Sequence, residues 1–510
     1  APDPARRPSP HRPVITARVG CGDMARIVVV GAGIGAMAAA ARLAVAGHGV
    51  TVVERGDTHG GAVGRRVRDG FSFDTGPGLL YLPAVWRDLF LKTGKRPLEE
   101  CVELVRPADP VVEHRLPDGT RLRLPGLSRG ATIRAVREAL GGDTAERWTA
   151  VLGRAREAWE VSRRPMMEEP LTARTDPAPF RHDPYPAVPH RRGLFRRPAP
   201  ADDLLTTATR ELGDPRAVAV LTSGLWDWGV NPADAPAGAL ALPYVEQTFG
   251  TWYPLGGTRA LADALYARCL ERRVDFRFGV EAVAVAEENG RASGVEAADG
   301  TVLPADHVVL GGWSPSPGSR GGVADPLREP PGNAARAWSR ATLLLALRGR
   351  RPAGTPHRTV VHGATAAEPP VTVLQPDDPS LWPTGEHATA VVTVPVPVGS
   401  GGALPAGTAE RLEAAADAVV PDLADRELWR ELRTPAEIER DTGAPGGAIP
   451  GPALGGGVTG RAAAPNPGPL PGTHRVGALA HPGGGLPHAG MTGALVAGLI
   501  VEGPDWRGSY

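Results

Sequence analysis

Cysteine is scarce in this 510-residue chain: Cys21, Cys101 and Cys269 stand far apart with no CxxC pair, which excludes a disulfide framework and a cysteine metal site and fits a reducing, cytoplasmic setting. Lysine is scarcer, limited to Lys92 and Lys95, while arginine, alanine, glycine and proline abound, a bias of GC-rich bacterial genomes. Net charge is missing as well. Lys+Arg and Asp+Glu balance at 56 each and no basic stripe dominates, which argues against nucleic acid and for a small-molecule partner. No run approaches the roughly 20 apolar residues that cross a bilayer. The longest candidate is the short segment Gly493 to Val501, so peripheral membrane contact is all that stays open. Residues 1 to 23 have no continuous apolar stretch of the secretory kind, and Met24 is the expected natural start after a disordered leader. A Ser/His/Asp elbow, an HExxH helix, a P-loop and a second G-x-G-x-x-G for a separate nicotinamide domain are all absent, and no metal is expected.

What is present begins at Ala25. A strand over Arg26 to Val30, a helix-favouring stretch Ala36 to Ala46 stopped by Gly47, and a second strand ending at Glu54 make one βαβ unit. Gly31-Ala32-Gly33-Ile34-Gly35-Ala36 sits between strand and helix, with Ala36 in the third slot of G-x-G-x-x-G/A. Gly31 allows the tight turn and Gly33 lets the backbone approach a pyrophosphate. The helix opening near Gly35 offers free N–H groups and a positive dipole end. Glu54, with Arg55 beside it, stands where a carboxylate meets ribose hydroxyls, and it disfavours a 2′-phosphate. These residues alone leave NAD and FAD both open.

Further on, Thr132 to Val161 reads as helical, and Pro165 to Pro200 as a mobile loop or lid. A helix over Ala260 to Arg272 precedes strands Val274 to Phe278, Ala282 to Ala286, Gly294 to Ala298 and His307 to Leu310, read together as a meander with turns at Asn289-Gly290 and Asp299-Gly300. Strands at Thr342 to Leu347 and Ala388 to Val394, a helix at Thr408 to Ala418, a loop from Gly443 to Pro471 and an apolar helix Gly490 to Val501 complete the chain.

Gly60-Gly61-Ala62 followed by Gly70-Phe71-Ser72-Phe73-Asp74-Thr75-Gly76-Pro77-Gly78 resembles the bacterial phytoene desaturase family of amine-oxidase-like FAD enzymes. So do Tyr244 to Gln247 with Gly250 to Gly257, and His481 to Pro487 before the last helix. The motifs follow the family order over nearly the whole chain from Met24. The resemblance implies an α/β fold with a Rossmann-like, glutathione-reductase-type FAD domain from residues 24–90, 250–318 and 470–510. A mixed-sheet substrate domain with a helical lid, from 91–249 and 319–469, would share a cleft with it. It places Gly60, Gly61 and Ala62 along the FAD phosphates, Asp74, Gly76, Pro77 and Gly78 at the flavin ring, and Val283 at the adenine. Gly311, Gly484, Leu486, Ala489, Gly490 and Met491 complete the implied cofactor set. NADPH is implied only as a transient reductant visiting the flavin.

Beside the resemblance, the residues themselves offer candidates for chemistry: His481 and His488, which flank the flavin turn, with Tyr253 as catalytic residues, and Trp252 with Tyr253 along a tunnel for a long apolar polyene; loop-ordering histidines and core aromatics are the structural alternatives. Glu246 reads as structural, and Arg191 to Arg197 reads as a solvated or membrane-docking loop. Three departures stand out. Ala62 replaces a usual Arg or Lys, Gly78 a hydroxyl residue, and Gly311-Gly312-Trp313 an Asn-Ala-Asp. Ala62 and Gly78, with the polar, His-bearing turn at His488, tilt the expected reaction from carotenoid desaturation toward reductive cyclisation, as in the phytoene-dehydrogenase-like enzymes of polycyclic tetramate macrolactam assembly. A non-catalytic carrier with structural FAD is the reading of another class.

Overall fold

The computed structural model describes residues 24–189, 198–199, 203–312, 337–399, 403–455 and 463–508; the expected leader 1–23, the Arg191–Arg197 cluster and Trp313 lie outside them. Strand β1 (Arg26–Val30), helix α1 (Ile34–Val45) and strand β2 (Gly49–Glu54) form the βαβ unit. β1 is central in a five-stranded sheet whose order is Asp275–Phe278, β2, β1, His307–Leu310, Thr473–Arg475, and every pairing is parallel. Ile27, Val28 and Val29 are buried, as a strand covered on both faces requires. α1 presents a run of small residues, and the C-terminal helix Leu486–Val501 crosses it closely: a Cβ on Gly493 would lie 2.6 Å from the Ala39 nitrogen.

The meander expected over residues 274 to 310 is smaller than its sequence pattern. Asp275–Phe278 pairs with β2 and His307–Leu310 with β1, so both belong to the parallel sheet. Only Ala282–Glu288, Arg291–Ala297 and Val302–Pro304 form the antiparallel meander, its hairpin turning at Asn289 and Gly290 with φ of 54° and 75°. For Asp275–Phe278 local alternation cannot distinguish the two cases, because a strand at the margin of a parallel sheet is also only half covered; His307–Leu310 lies inside the sheet between partners distant in sequence.

The second sheet has seven strands, ordered Glu427–Arg433, Trp338–Arg348, His387–Pro397, Val371–Leu374, Arg358–Val361, Val112–Arg115, Arg121–Leu124. It is antiparallel except where Arg358–Val361 runs parallel to Val112–Arg115. A helical layer with its own core, including Trp148, Leu204 and Leu240, covers one side of the cleft. The long helical stretch expected from Thr132 is two helices, Arg129–Leu140 and Gly142–Arg163, broken at Gly141, whose φ of 99° an α-helix cannot contain. The described part of the expected mobile lid is anchored. Met166 and Met167 are buried, and the Tyr185 hydroxyl donates to Glu211 at 3.0 Å.

Candidate functional site

Parallel sheet, seven-stranded sheet and helical layer together enclose one groove of about 1320 Å³. That exceeds the roughly 300–1,000 Å³ typical of a single small-molecule site, so a dinucleotide and a second molecule fit together.

One end is made of backbone. Gly31 turns at φ 89° and donates its N–H to the Val53 carbonyl at 2.7 Å. Gly33 caps α1 without a side-chain partner, and a Cβ there would meet nothing nearer than the Gly311 oxygen at 4.0 Å. Its missing side chain therefore leaves open groove beside the free helix N–H groups. Ala36 fills the third motif position because Gly311 passes over it: a Cβ on Gly311 would sit 2.7 Å from the Ala36 Cβ. Gly35 is used for packing, with Ala489, Thr492 and Gly477 all within 3.3 Å of a Cβ placed there. Glu54 ends β2 with one oxygen accepting from Ala32 N–H (2.7 Å) and the other from Gly56 N–H (2.9 Å). This holds the carboxylate at the groove wall beside Arg55 and Val280. A glycine cradle, an uncapped helix start and an oriented carboxylate suit the pyrophosphate and ribose of a dinucleotide.

Gly60, Gly61 and Ala62 continue the same wall. Gly60 bridges to Gly33, and a Cβ on Gly61 would approach the Gly33 Cα to 3.1 Å. Arg259, absent from the sequence-based set, holds this loop through the His59 carbonyl (2.8 Å) and the Thr58 hydroxyl (3.0 Å). Its position two residues after Gly-Gly was the available signal. The turn from Asp74 through Gly76 and Pro77 to Gly78 lies across the groove. Gly76 passes so close to the Ala62 carbonyl that any side chain would collide with it. Asp74 does more than border the groove: it accepts from the N–H groups of Thr258 (2.7 Å) and Arg259 (3.2 Å), capping the helix Thr258–Glu271 from a distant strand. Burial nevertheless pushes its pKa up to about 6.

At the C-terminal helix, Gly485, Leu486, Pro487 and Ala489 line the groove, whereas Gly484, Gly490 and Met491 do not. Gly484 lies against the Pro450 carbonyl, Gly490 against Val85 and Trp86, and Met491 packs beside Leu82 and Met167. Val283 occupies the irregularity between Ala282 and Ala284 in the meander, while Gly279 to Ala282 form the lining.

The candidate histidines are also displaced from the groove. His481 is fully buried behind its lining, edge-on to Phe180, and burial lowers its pKa to about 4. His488 faces Trp228 at 5.7 Å and a separate small cavity, with its pKa lowered to about 3 by burial first and His481 second. Both imidazoles are neutral near pH 7. Trp252 bridges to Leu80 and lies under Arg106, away from the groove. Tyr253 does line it, but its hydroxyl donates to buried Asp378 at 2.9 Å, and desolvation raises its pKa.

The other end of the groove is built from side chains. Leu374, Val391, Thr393 and Pro395 project from the seven-stranded sheet, facing Leu79, Tyr81, Trp226 and Trp228. Tyr81 stacks on Trp228 with centroids 5.2 Å apart, and Trp226 meets Trp338 edge-on at 4.7 Å. Asp227, Arg340 and His357 supply the polar points, and burial lowers Arg340 to about 10 and His357 to about 3. None of these was among the sequence-based candidates. The segment Trp226-Asp227-Trp228, an acid between two indoles, was a signal of its own. Among the described residues no group of three or more His, Cys, Asp or Glu could hold a metal, and no helix is long and apolar enough to cross a membrane.

Comparison with known proteins agrees with this layout. A family described as NAD(P)-binding Rossmann-like domain matches residues 29–92. The 4,4'-diapolycopene oxygenase of Methylomonas sp is 30% identical over 56% of this chain and 55% of its own length. A phytoene desaturase of Cercospora nicotianae is 32% identical over 55% and 44%. The chain thus spans about half the length of these curated relatives. Hydroxyneurosporene desaturase of Rubrivivax gelatinosus is 28% identical over 94% of both chains, so the phytoene desaturase-like resemblance runs nearly end to end. Among solved structures, a putrescine oxidase triple mutant matches with TM-score 0.61 at 16% identity over 94% of this chain and 99% of that one. Reduced UDP-galactopyranose mutase matches with TM-score 0.55 at 14% identity over 94% and 96%. These two likenesses establish the amine-oxidase-like fold.

Proposed function

We propose that this phytoene desaturase-like chain is an FAD-dependent oxidoreductase that transfers hydride to or from a long apolar polyene. The observation that carries the reading is the continuity of the groove from the Gly31, Gly33 and Glu54 cradle to the aliphatic face around Leu374 and Val391. Bound FAD supplies a two-electron hydride acceptor or, once reduced, a donor. The protein's part is orientation. Glu54 would meet the adenosine ribose, the N–H groups at the start of α1 would meet the pyrophosphate, and the start of the C-terminal helix at Leu486 would present its positive end to the flavin. The indoles of Trp226 and Trp228 and the sheet residues exclude water from the reacting carbon.

Within that activity, the names of the relatives favour desaturation of a carotenoid precursor. Gly78 favours the second reading, NADPH-supported reductive cyclisation of a polyene tetramate macrolactam. With no side chain there, the Leu374 Cδ1 methyl lies 2.3 Å from where a Cβ would be, so the usual hydroxyl residue would require Leu374 to turn aside. Anaerobic visible spectra of the purified protein separate the readings. Flavin bands that bleach on adding a polyene support desaturation, and bands that bleach with NADPH support the reductive reaction. A flavin that no donor reduces indicates a carrier. Folded protein that takes up no FAD overturns the proposal.

A further inference from the structure

A carboxylate stands open in the groove wall among Leu79, Trp226, Trp228 and Leu374, where Tyr81, Arg340 and His357 are the neighbouring polar groups. Asp227 lies between buried Trp226 and Trp228, and its side chain is 32% exposed where it lines the groove. Among the described residues only one of its oxygens is engaged. The Tyr81 hydroxyl donates to Oδ2 at 3.4 Å, and the Arg358 guanidinium pairs with the same oxygen at 3.0 Å. Arg358 is itself 3% exposed and has Glu246 as a second charge partner at 3.5 Å. Among the described residues none donates to Oδ1.

A plain hydrocarbon seated against this wall would strip water from Oδ1 and return nothing, and a buried acceptor left without a donor is costly. A leucine would line such a tunnel better. A ligand that carries its own donor removes the cost. We infer that Asp227 recognises a hydrogen-bond-donating group, a hydroxyl or an amide N–H, on the polyene, so the substrate class is a functionalised polyene. Tyr81 and Arg358 act as positioning residues, turning the carboxylate so that Oδ1 faces the ligand. This inference rests on the polyene reading above and adds the polar group to it.

The test uses the FAD-loaded protein and two polyenes of equal chain length, a hydrocarbon carotene and its hydroxylated counterpart, with affinity read from flavin fluorescence quenching in detergent micelles. Wild type is expected to bind the hydroxylated polyene at least about 10-fold tighter, the scale of one hydrogen bond to a charged group. Asp227→Leu is expected to bring the two affinities within about 2-fold without weakening hydrocarbon binding, and Asp227→Asn, which keeps an acceptor, to retain a preference. Equal affinities in wild type overturn the inference and leave the polyene reading standing. An Asp227→Leu protein that keeps its flavin but loses both ligands alike also overturns it, because the residue is then structural. Flavin-loaded wild type that binds neither polyene overturns the underlying reading and the inference with it.

Discussion

The dinucleotide end and the sheet-lined end of the groove are built from different materials. The first uses backbone N–H groups, a helix start and missing side chains, contributed mainly by residues close in sequence: Gly31, Gly33, Glu54, Gly60 and Gly61 fall within one βαβ unit and its exit. The second uses side chains from Leu79, Trp226, Arg340, Leu374 and Val391, which lie on five separate segments. The difference teaches where each end is vulnerable. Backbone sites fail when atoms are added, and side-chain sites fail when a member of a buried polar set is removed.

The largest expected effect is at the sheet-lined end. Arg358→Ala would leave Asp227 and Glu246 facing each other without their shared cation. Loss of one partner of a buried charge set costs about 3–5 kcal/mol. A denaturant midpoint that falls accordingly, with flavin content retained in the folded fraction, is the expected result. An unchanged midpoint would mean that water already solvates the set.

Asp74 joins the two ends, and its effect is read through pH. Its carboxyl is held at about 6 in the fold against 3.8 for the ordinary value. Between these pH values the folded protein binds the proton more tightly than the unfolded chain, so this contribution to stability is full below about pH 4 and is lost as pH rises to 6. The two-unit displacement corresponds to about 3 kcal/mol. Flavin-free wild type should therefore lose stability relative to Asp74→Asn by up to that amount between pH 4 and 6.5, measured by denaturant titration at each pH. A pH-independent difference would place the carboxylate in solvent.

At the dinucleotide end, Gly33→Val should separate binding from folding. The backbone at Gly33 is extended (φ −67°, ψ 161°), which valine adopts readily, and a Cβ there meets no atom closer than 4.0 Å. FAD affinity should drop by about 100-fold or more while the flavin-free melting temperature stays within a few degrees, because the added methyls fill the space a pyrophosphate needs. Retained flavin would displace the cradle from this loop. Glu54→Gln is the mildest change. It keeps one acceptor for the Ala32 or Gly56 N–H and gives up the charge, so FAD should bind about 10-fold more weakly by calorimetry. No change would remove Glu54 from the ribose.

The same contrast explains how much was legible in advance. Gly31, Gly33, Ala36 and Glu54 determine a dinucleotide-binding βαβ unit by themselves, since a tight turn, a close backbone approach and an acid at the strand end are local requirements that few residue types satisfy. The order of later glycine motifs pointed to the amine-oxidase-like fold. What neighbours a residue finds across the groove is not local. His488, read as flanking the flavin, turns toward Trp228 because the C-terminal helix places it on the face opposite Pro487 and Ala489. Asp227 passed unread because Arg358 and Tyr81 reach it from strands and turns more than a hundred residues away. Tertiary packing alone decided which buried side chains share a surface, since burial and charge pairing depend on every segment that closes over the groove.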